Sequence, residues 1–279
     1  MINKIDFSIL PKTIDKDDYC NKYVELALKT DFSDSYEILE SIYYLGRWYA
    51  TRKSLKLYFG LADSSLKVKL DVLKNFGLIE YHKTDTNKSY VKLTNNGASL
   101  INKRIVKWNS NNKKDISSLI RKSELIYTVA SNKIMCNPDF FKKNIDRDKI
   151  IQDTLSKHYI TNNIKISTLE QSHIYIFNCN NKFIGFAIDY SNMEEYIRDC
   201  IKIYEFLSSY EIANDINVNI VVVTDNINNT LITLGDVSEG DFKKSFRAKL
   251  LKYFISKNIN MDFDAFLDKI VNSTKLLEY

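Results

Sequence analysis

The stretch DSSLKVKLDVLKNFGLIEYH, Asp63 to His82, constrains the fold most, because its hydrophobic period changes part-way along. Leu66, Leu70 and Leu73 recur at i, i+4 and i+7, which at 100° per residue makes one narrow apolar face of a helix. The opposite side carries Ser64, Lys67, Val68, Asp71, Lys74 and Asn75. A helix starting behind Asp63 is predicted to end at Gly77, placed to take the left-handed conformation that closes helices. Leu78 to His82 then reads as a strand. A polar tip, Lys83 to Lys88, leads to a return strand, Ser89 to Leu93, after which Thr94 caps another helix through Ile101.

Upstream, Asp34 and Glu37 form a capping-box pattern ahead of Ile38, Leu39, Ile42 and Leu45, which predicts a first helix from about Ser35 to Tyr49. Thr51 caps a short second helix through Tyr58, with Leu55 and Tyr58 inward, and Gly60 lets the chain turn. The order helix, helix, helix, strand, tip, strand resembles the winged helix-turn-helix family. That resemblance implies binding to double-stranded DNA, with the third helix in the major groove, where side chains near its N-terminal end reach base edges. It assigns Ser64, Ser65, Lys67, Val68, Asp71 and Lys74 to the groove, and His82, Lys83 and Lys88 at the hairpin to the backbone or minor groove. The alternative is a protein-binding regulator without DNA contact, in which Lys67 and Asp71 are an exposed i, i+4 pair.

A formal net charge of +5 says little about partners, but the charge is unevenly spread. Between Ile101 and Lys122, seven cations (Lys103, Arg104, Lys107, Lys113, Lys114, Arg121, Lys122) face Asp115 alone. Such a segment follows phosphates and releases counterions, which gives sequence-independent, salt-dependent affinity. Its bland reading is a solvated linker with Trp108 packed on a neighbour. Asn109 to Asn112 read as a hinge, and Asp115 as the cap of a helix bearing Ile116, Leu119 and Ile120.

From Pro138 the pattern changes. A helix is predicted near Asp148 to His158, then strands near Ile164 to Ile166, His173 to Phe177 and Phe183 to Asp189, the last two forming a hairpin. A long helix, Met193 to Ser209, has Ile197, Ile201, Tyr204 and Leu207 or Ser208 at helical spacing. Val218 to Val223 is an unbroken apolar run suited to a strand buried on both faces. Helices at about Phe242 to Ser256 and Phe263 to Ser273 close the chain. The expected class is α+β: an N-terminal winged helix-turn-helix domain followed by a C-terminal α/β sandwich resembling a degenerate restriction-endonuclease-like core.

Active members of that superfamily hold a divalent metal with a carboxylate on one strand and an acid-x-Lys motif on the next. Here Ala187-Ile188-Asp189-Tyr190-Ser191 occupies the motif's place and the lysine is missing. The nearest upstream acid is Glu170, so a metal-dependent nuclease using Asp189 and Glu170 is the alternative function. In the bland reading Asp189 is a helix cap or turn residue, and His173 is a packed side chain.

The wing end Leu93-Thr94-Asn95-Asn96-Gly97-Ala98, and Gly185-Phe186-Ala187-Ile188-Asp189 with Lys202 and Tyr204 downstream, resemble the replication-relaxation family of plasmids and other bacterial mobile elements. In that family the second strand begins with Pro-Asp and the third carries Glu-x-Asp; here those places read Gln171-Ser172-His173 and Ala187-x-Asp189. The resemblance implies DNA binding in plasmid or phage replication, maintenance or transcription regulation, while the departures from its pattern and the missing lysine argue against nuclease activity and a bound metal, and no cofactor is expected. The expected divisions are a lead at 1–33, the winged helix at 34–108, a basic connector and helix at 109–137, and the α/β domain at 138–279. Palindromic DNA targets imply a homodimer, with a replication or partition protein as a further partner. No signal sequence or long apolar run occurs, so the expected location is cytoplasmic, away from membranes. Cys20, Cys136, Cys179 and Cys200 form no CxxC and read as reduced thiols.

Overall fold

The computed structural model describes residues 33–101, 113–132, 174–180, 183–209, 217–234, 239–271 and 273–279. The lead at 1–32, most of the basic connector with its Asn hinge, the Asp148–His158 helix and the Ile164–Ile166 strand lie outside them. The described chain is a mixed α+β structure with two sheets. No helix among the described residues is long and apolar enough to cross a membrane.

Around the first sheet, α1 is Ser33–Tyr44, β1 Tyr49–Thr51, α2 Arg52–Phe59, α3 Asp63–Asn75, β2 Ile79–Lys83, β3 Ser89–Leu93 and α4 Asn95–Leu100. Its strands are antiparallel in the order β1-β3-β2, with Tyr49 opposite Lys92 and Tyr81 opposite Val91. Local chemistry sets the helix ends. The Thr51 hydroxyl accepts from the Ser54 amide at 3.2 Å and Thr94 from the Gly97 amide at 3.0 Å, each satisfying an otherwise unpaired first-turn N–H. Gly77, at φ 68°, turns the chain out of α3, and the Leu78 amide bonds back to the Leu73 carbonyl at 2.9 Å.

Three expectations need correction here. The first helix stops at Tyr44, because the chain reverses through Arg47 and Trp48, at φ 49° and 78°, and Tyr49–Thr51 gains backbone pairing with β3. The third helix begins at Asp63 itself, not behind it; Ala62 is the cap residue, and Asp63 lies in the first turn, bound to α2. Asp115 is no cap either, since α5 runs Lys113–Ser131 straight through it.

The second sheet consists of β4 (Ile174–Asn180), β5 (Phe183–Asp189), β6 (Asn217–Thr224) and β7 (Thr274–Glu278) in that spatial order. β4 and β5 are antiparallel, whereas β5, β6 and β7 are parallel. Crossovers between the parallel strands are α6 (Met193–Ser209), then α7 (Ile227–Leu234), α8 (Glu239–Ser256) and α9 (Phe263–Phe266), the last continuing as a wider π turn through Val271. Here the expected Phe263–Ser273 helix is cut short, and α7 and β7 are additional. In α6 the buried stripe is Tyr196, Ile197, Cys200, Ile203 and Leu207, displaced from the expected one; Ile201 and Tyr204 are only half-buried. Cys200 is a free, buried thiol.

Strand alternation divides the core. Ile174, Ile176, Phe186, Ile188, Ile220 and Val222 face α6, α8 and α9. Tyr175, Phe177, Ala187, Val221 and Val223 face the other way, into one cluster with Leu125, Ile126, Tyr127, Val129 and Ala130 of α5 and the leucines of α1 to α4. A helix apolar on most of its sides belongs inside a protein, and α5 fits that rule: residues 123–130 are all buried. It joins the two sheets through a common core.

Candidate nucleic-acid interface

Leu66, Leu70 and Leu73 are 0 to 1% exposed, so they fix α3 inward. Their burial turns Ser64, Lys67, Val68, Lys74 and Asn75 to solvent, with Asp71 half-buried and Ser65 at the margin. At its N-terminus, Asp63 binds Lys56 Nζ at 2.9 Å and lies 3.6 Å from Arg52 Nε, while Arg52 Nη2 donates to the Asp63 carbonyl at 2.7 Å. The Lys56 hydrogen bond and charge hold the Asp63 carboxyl below the usual carboxylate range. These bonds tie α2 to the first turn of α3.

Beyond the far end of α3, Lys74 Nζ lies 5.3 Å from the centre of the Tyr81 ring, and Tyr81 is an exposed residue of β2. Burial and the charge of Asp71 both raise the Tyr81 hydroxyl's pKa, so it stays protonated and able to donate. The hairpin tip is closed by Thr84 N–H to the Lys88 carbonyl at 2.9 Å, with Asn87 at φ 61°. His82 and Lys83 are exposed; the His82 ring stacks on Tyr90 and its Nε2 is 3.1 Å from Glu80.

Lys88 departs from the expected arrangement. Its Nζ donates to Glu124 Oε2 of α5 at 2.6 Å, and Glu124 also accepts from the Thr51 hydroxyl at 3.2 Å. The Glu124 side chain is only 7% exposed, so Lys88 matches a nearly buried acid and is drawn back from the tip. Lys103, Arg104 and Lys107 lie outside the described residues. Lys113 and Lys114 begin α5, but their side chains lie outside the description.

Three cations on α2 join the surface without having been singled out from the sequence: Arg52, Lys53 and Lys56, all exposed beside α3. The signal is present, since RKSLK carries three positive charges and no acid behind the Thr51 cap. Arg52 and Lys53 lie in the first helical turn, where they oppose the helix dipole, whereas Lys56 lies in the last turn, where a cation suits it.

One turn from Glu124, Arg121 takes a different role from the phosphate-following one read from the sequence. Its Nε and Nη2 donate to Asp189 at 2.9 to 3.1 Å, and Nη1 and Nη2 donate to Asp225 at 2.9 and 3.1 Å. The guanidinium carbon lies 3.8 Å from the centre of the Tyr279 ring, whose hydroxyl donates to Asp189 Oδ1 at 2.9 Å. Burial works against the Arg121 charge, but the hydrogen bonds it donates to Asp189 and Asp225 outweigh it and raise the pKa. Tyr279 is raised by burial and by the Asp189 charge.

Both Asp189 oxygens are thus engaged at the end of β5. Asp189 is not the cap of α6 either: Asn192 is, its Oδ1 accepting from the Glu195 amide at 2.9 Å. Among the described residues, no group of three or more His, Cys, Asp or Glu side chains is placed to hold a metal ion. Glu170 and His173 lie outside the described residues. No protein-family model matches the chain, and neither does any curated protein.

Proposed function

We propose that this chain is a winged helix-turn-helix protein that binds double-stranded DNA sequence-specifically, with α3 as the recognition helix in the major groove. The observation that carries this reading is the orientation of α3: three core leucines on one side, and exposed Ser64, Lys67 and Val68 on the other. The order β1-β3-β2 around α2 and α3 suits this fold, and exposed Lys53, with Arg52 and Lys56 that also bind Asp63, supplies positive charge beside α3, which supports phosphate contact.

In this reading the second sheet, resembling a degenerate endonuclease core, serves assembly or partner binding and carries out no chemistry. Its Asp189 is held by Arg121 and Tyr279, which favours a structural role over metal ligation. The protein acts as a homodimer in plasmid or phage replication, maintenance or transcription control, with a replication or partition protein as a further partner.

Footprinting of purified protein on DNA flanking its own gene, at two salt concentrations, tests the reading. Protection that weakens with salt is expected, since each phosphate neutralised contributes about 0.9 to the logarithmic salt slope. Lys67→Glu should abolish it. A blank footprint at both salts would refute DNA binding and leave a protein-binding regulator.

A further inference from the structure

We infer that the DNA site facing α3 contains a thymine whose C5-methyl group packs on Val68, an inference that rests on the DNA-binding reading above. Val68 is 63% exposed and sits among polar neighbours, with Ser64 one turn before it and Asp71 one turn after. At 100° per residue it lies opposite the stripe of Leu66, Leu70 and Leu73, at the centre of the outward face.

A single exposed apolar side chain is ordinary on a protein surface. At this position it carries two costs with no gain inside the chain. Valine is a weaker helix former than lysine, glutamate or alanine. Its isopropyl group also leaves most of its surface in water.

The neighbours offer hydrogen bonds: Lys67 suits guanine O6 or N7, Asp71 suits the cytosine amino group, and Ser64 suits either partner type. Val68 offers none. Of the groups displayed in the major groove, the thymine C5-methyl is the apolar one, so it is the edge chemically matched to valine. A β-branched side chain is already restricted at χ1 in a helix, so little rotamer freedom is lost on contact.

The test uses the full-length protein. Bound sequences are selected from a random duplex pool, and each thymine of the selected site is then replaced by uracil, which lacks only the methyl group. At least one position should weaken wild-type binding about fourfold, corresponding to ~0.8 kcal/mol for one buried methyl. Val68→Ser, which replaces the isopropyl group with a small polar one, should lower affinity for the thymine site and equalise thymine and uracil there, and its thermal midpoint should match wild type because the position is exposed. Lys67→Ala should lower affinity while keeping the methyl preference.

Selection of a defined site with no uracil effect would overturn the inference and leave DNA binding standing. So would a methyl preference that survives in Val68→Ser. Failure to retain any duplex overturns both.

Discussion

Arg121→Ala removes the guanidinium that ties the ends of β5 and β6 to α5, and its cost can be worked from exposure. The Asp225 side chain is 75% exposed, so solvent screening limits that pair to ~0.5 kcal/mol. Asp189 is 17% and Arg121 30% exposed, so truncation strands a carboxylate mostly out of water, with Tyr279 as its remaining donor. Breaking a fully buried pair costs about 3–5 kcal/mol, and the partial opening here selects the lower end, ~3 kcal/mol. Urea unfolding followed by circular dichroism and tryptophan emission is the assay; Trp48, packed against the common core, reports on the first unit. Asp189→Asn should cost ~2 kcal/mol, and the double variant should fall short of the sum by about the same amount. Single losses that simply add, or an Arg121→Ala loss within ~0.5 kcal/mol of zero as for an ordinary surface change, would refute the assigned role.

Leu70→Ala, at a site 1% exposed, should lose ~3 kcal/mol of stability by denaturant titration, whereas Lys67→Ala should stay within ~0.5 kcal/mol and instead lower the logarithmic salt slope of DNA binding by about 1. Lys88→Ala should reduce DNA affinity less than Lys83→Ala in a retardation assay, because Lys88 must abandon a nearly buried Glu124 to reach a phosphate. Hydrogen bonds from Arg121 hold the Asp225 carboxyl below its usual range, so between that depressed value and about 3.9 the unfolded chain binds more protons than the folded one. Its contribution is therefore present above about pH 4 and is lost as pH falls through the folded value; an acid melting series should show a shallower decline for Asp225→Asn than for wild type.

What the sequence makes legible is local. The leucine stripe of α3, the Thr51 and Thr94 caps, the Gly77 turn and the Phe183–Asp189 strand all rest on periodicity or on contacts within a few residues. β1 and β7 escape such a reading because each is short and depends on a distant partner: Tyr49–Thr51 pairs with residues beyond Ser89, and Thr274–Glu278 with β6. The spacing of Ile38, Leu39 and Ile42 in α1 continues past Tyr44 in helical register through Leu45, and the local mark of the reversal at Arg47 and Trp48 is Gly46, where a Cβ would run into the Ile42 and Tyr49 carbonyl oxygens. For the candidate site, side-chain type identifies the outward face of α3, but the partners of Lys88 and Arg121 require three-dimensional proximity. Both read locally as cations available to phosphate, since a carboxylate 36 or 68 positions away leaves no mark on local charge pattern.

Arg121 and Glu124 are three residues apart on α5 and therefore share a helix face. One holds the ends of β5 and β6, and the other holds Lys88 at the start of β3. The same helix buries residues 123–130, including Tyr127, whose hydroxyl lies 3.1 Å from Ser41 of α1. A segment whose basic beginning suggests a solvated linker is thus the shared core element of both sheets. That gives the second sheet a structural contribution to the first: with Asp189 bound to Arg121, the strand-end carboxylate anchors α5, and α5 in turn holds the hairpin through Glu124 and Lys88. At the end of β5 the carboxylate of Asp189 is thus matched by a side-chain cation, and the helix that carries this cation also orients the hairpin through Glu124.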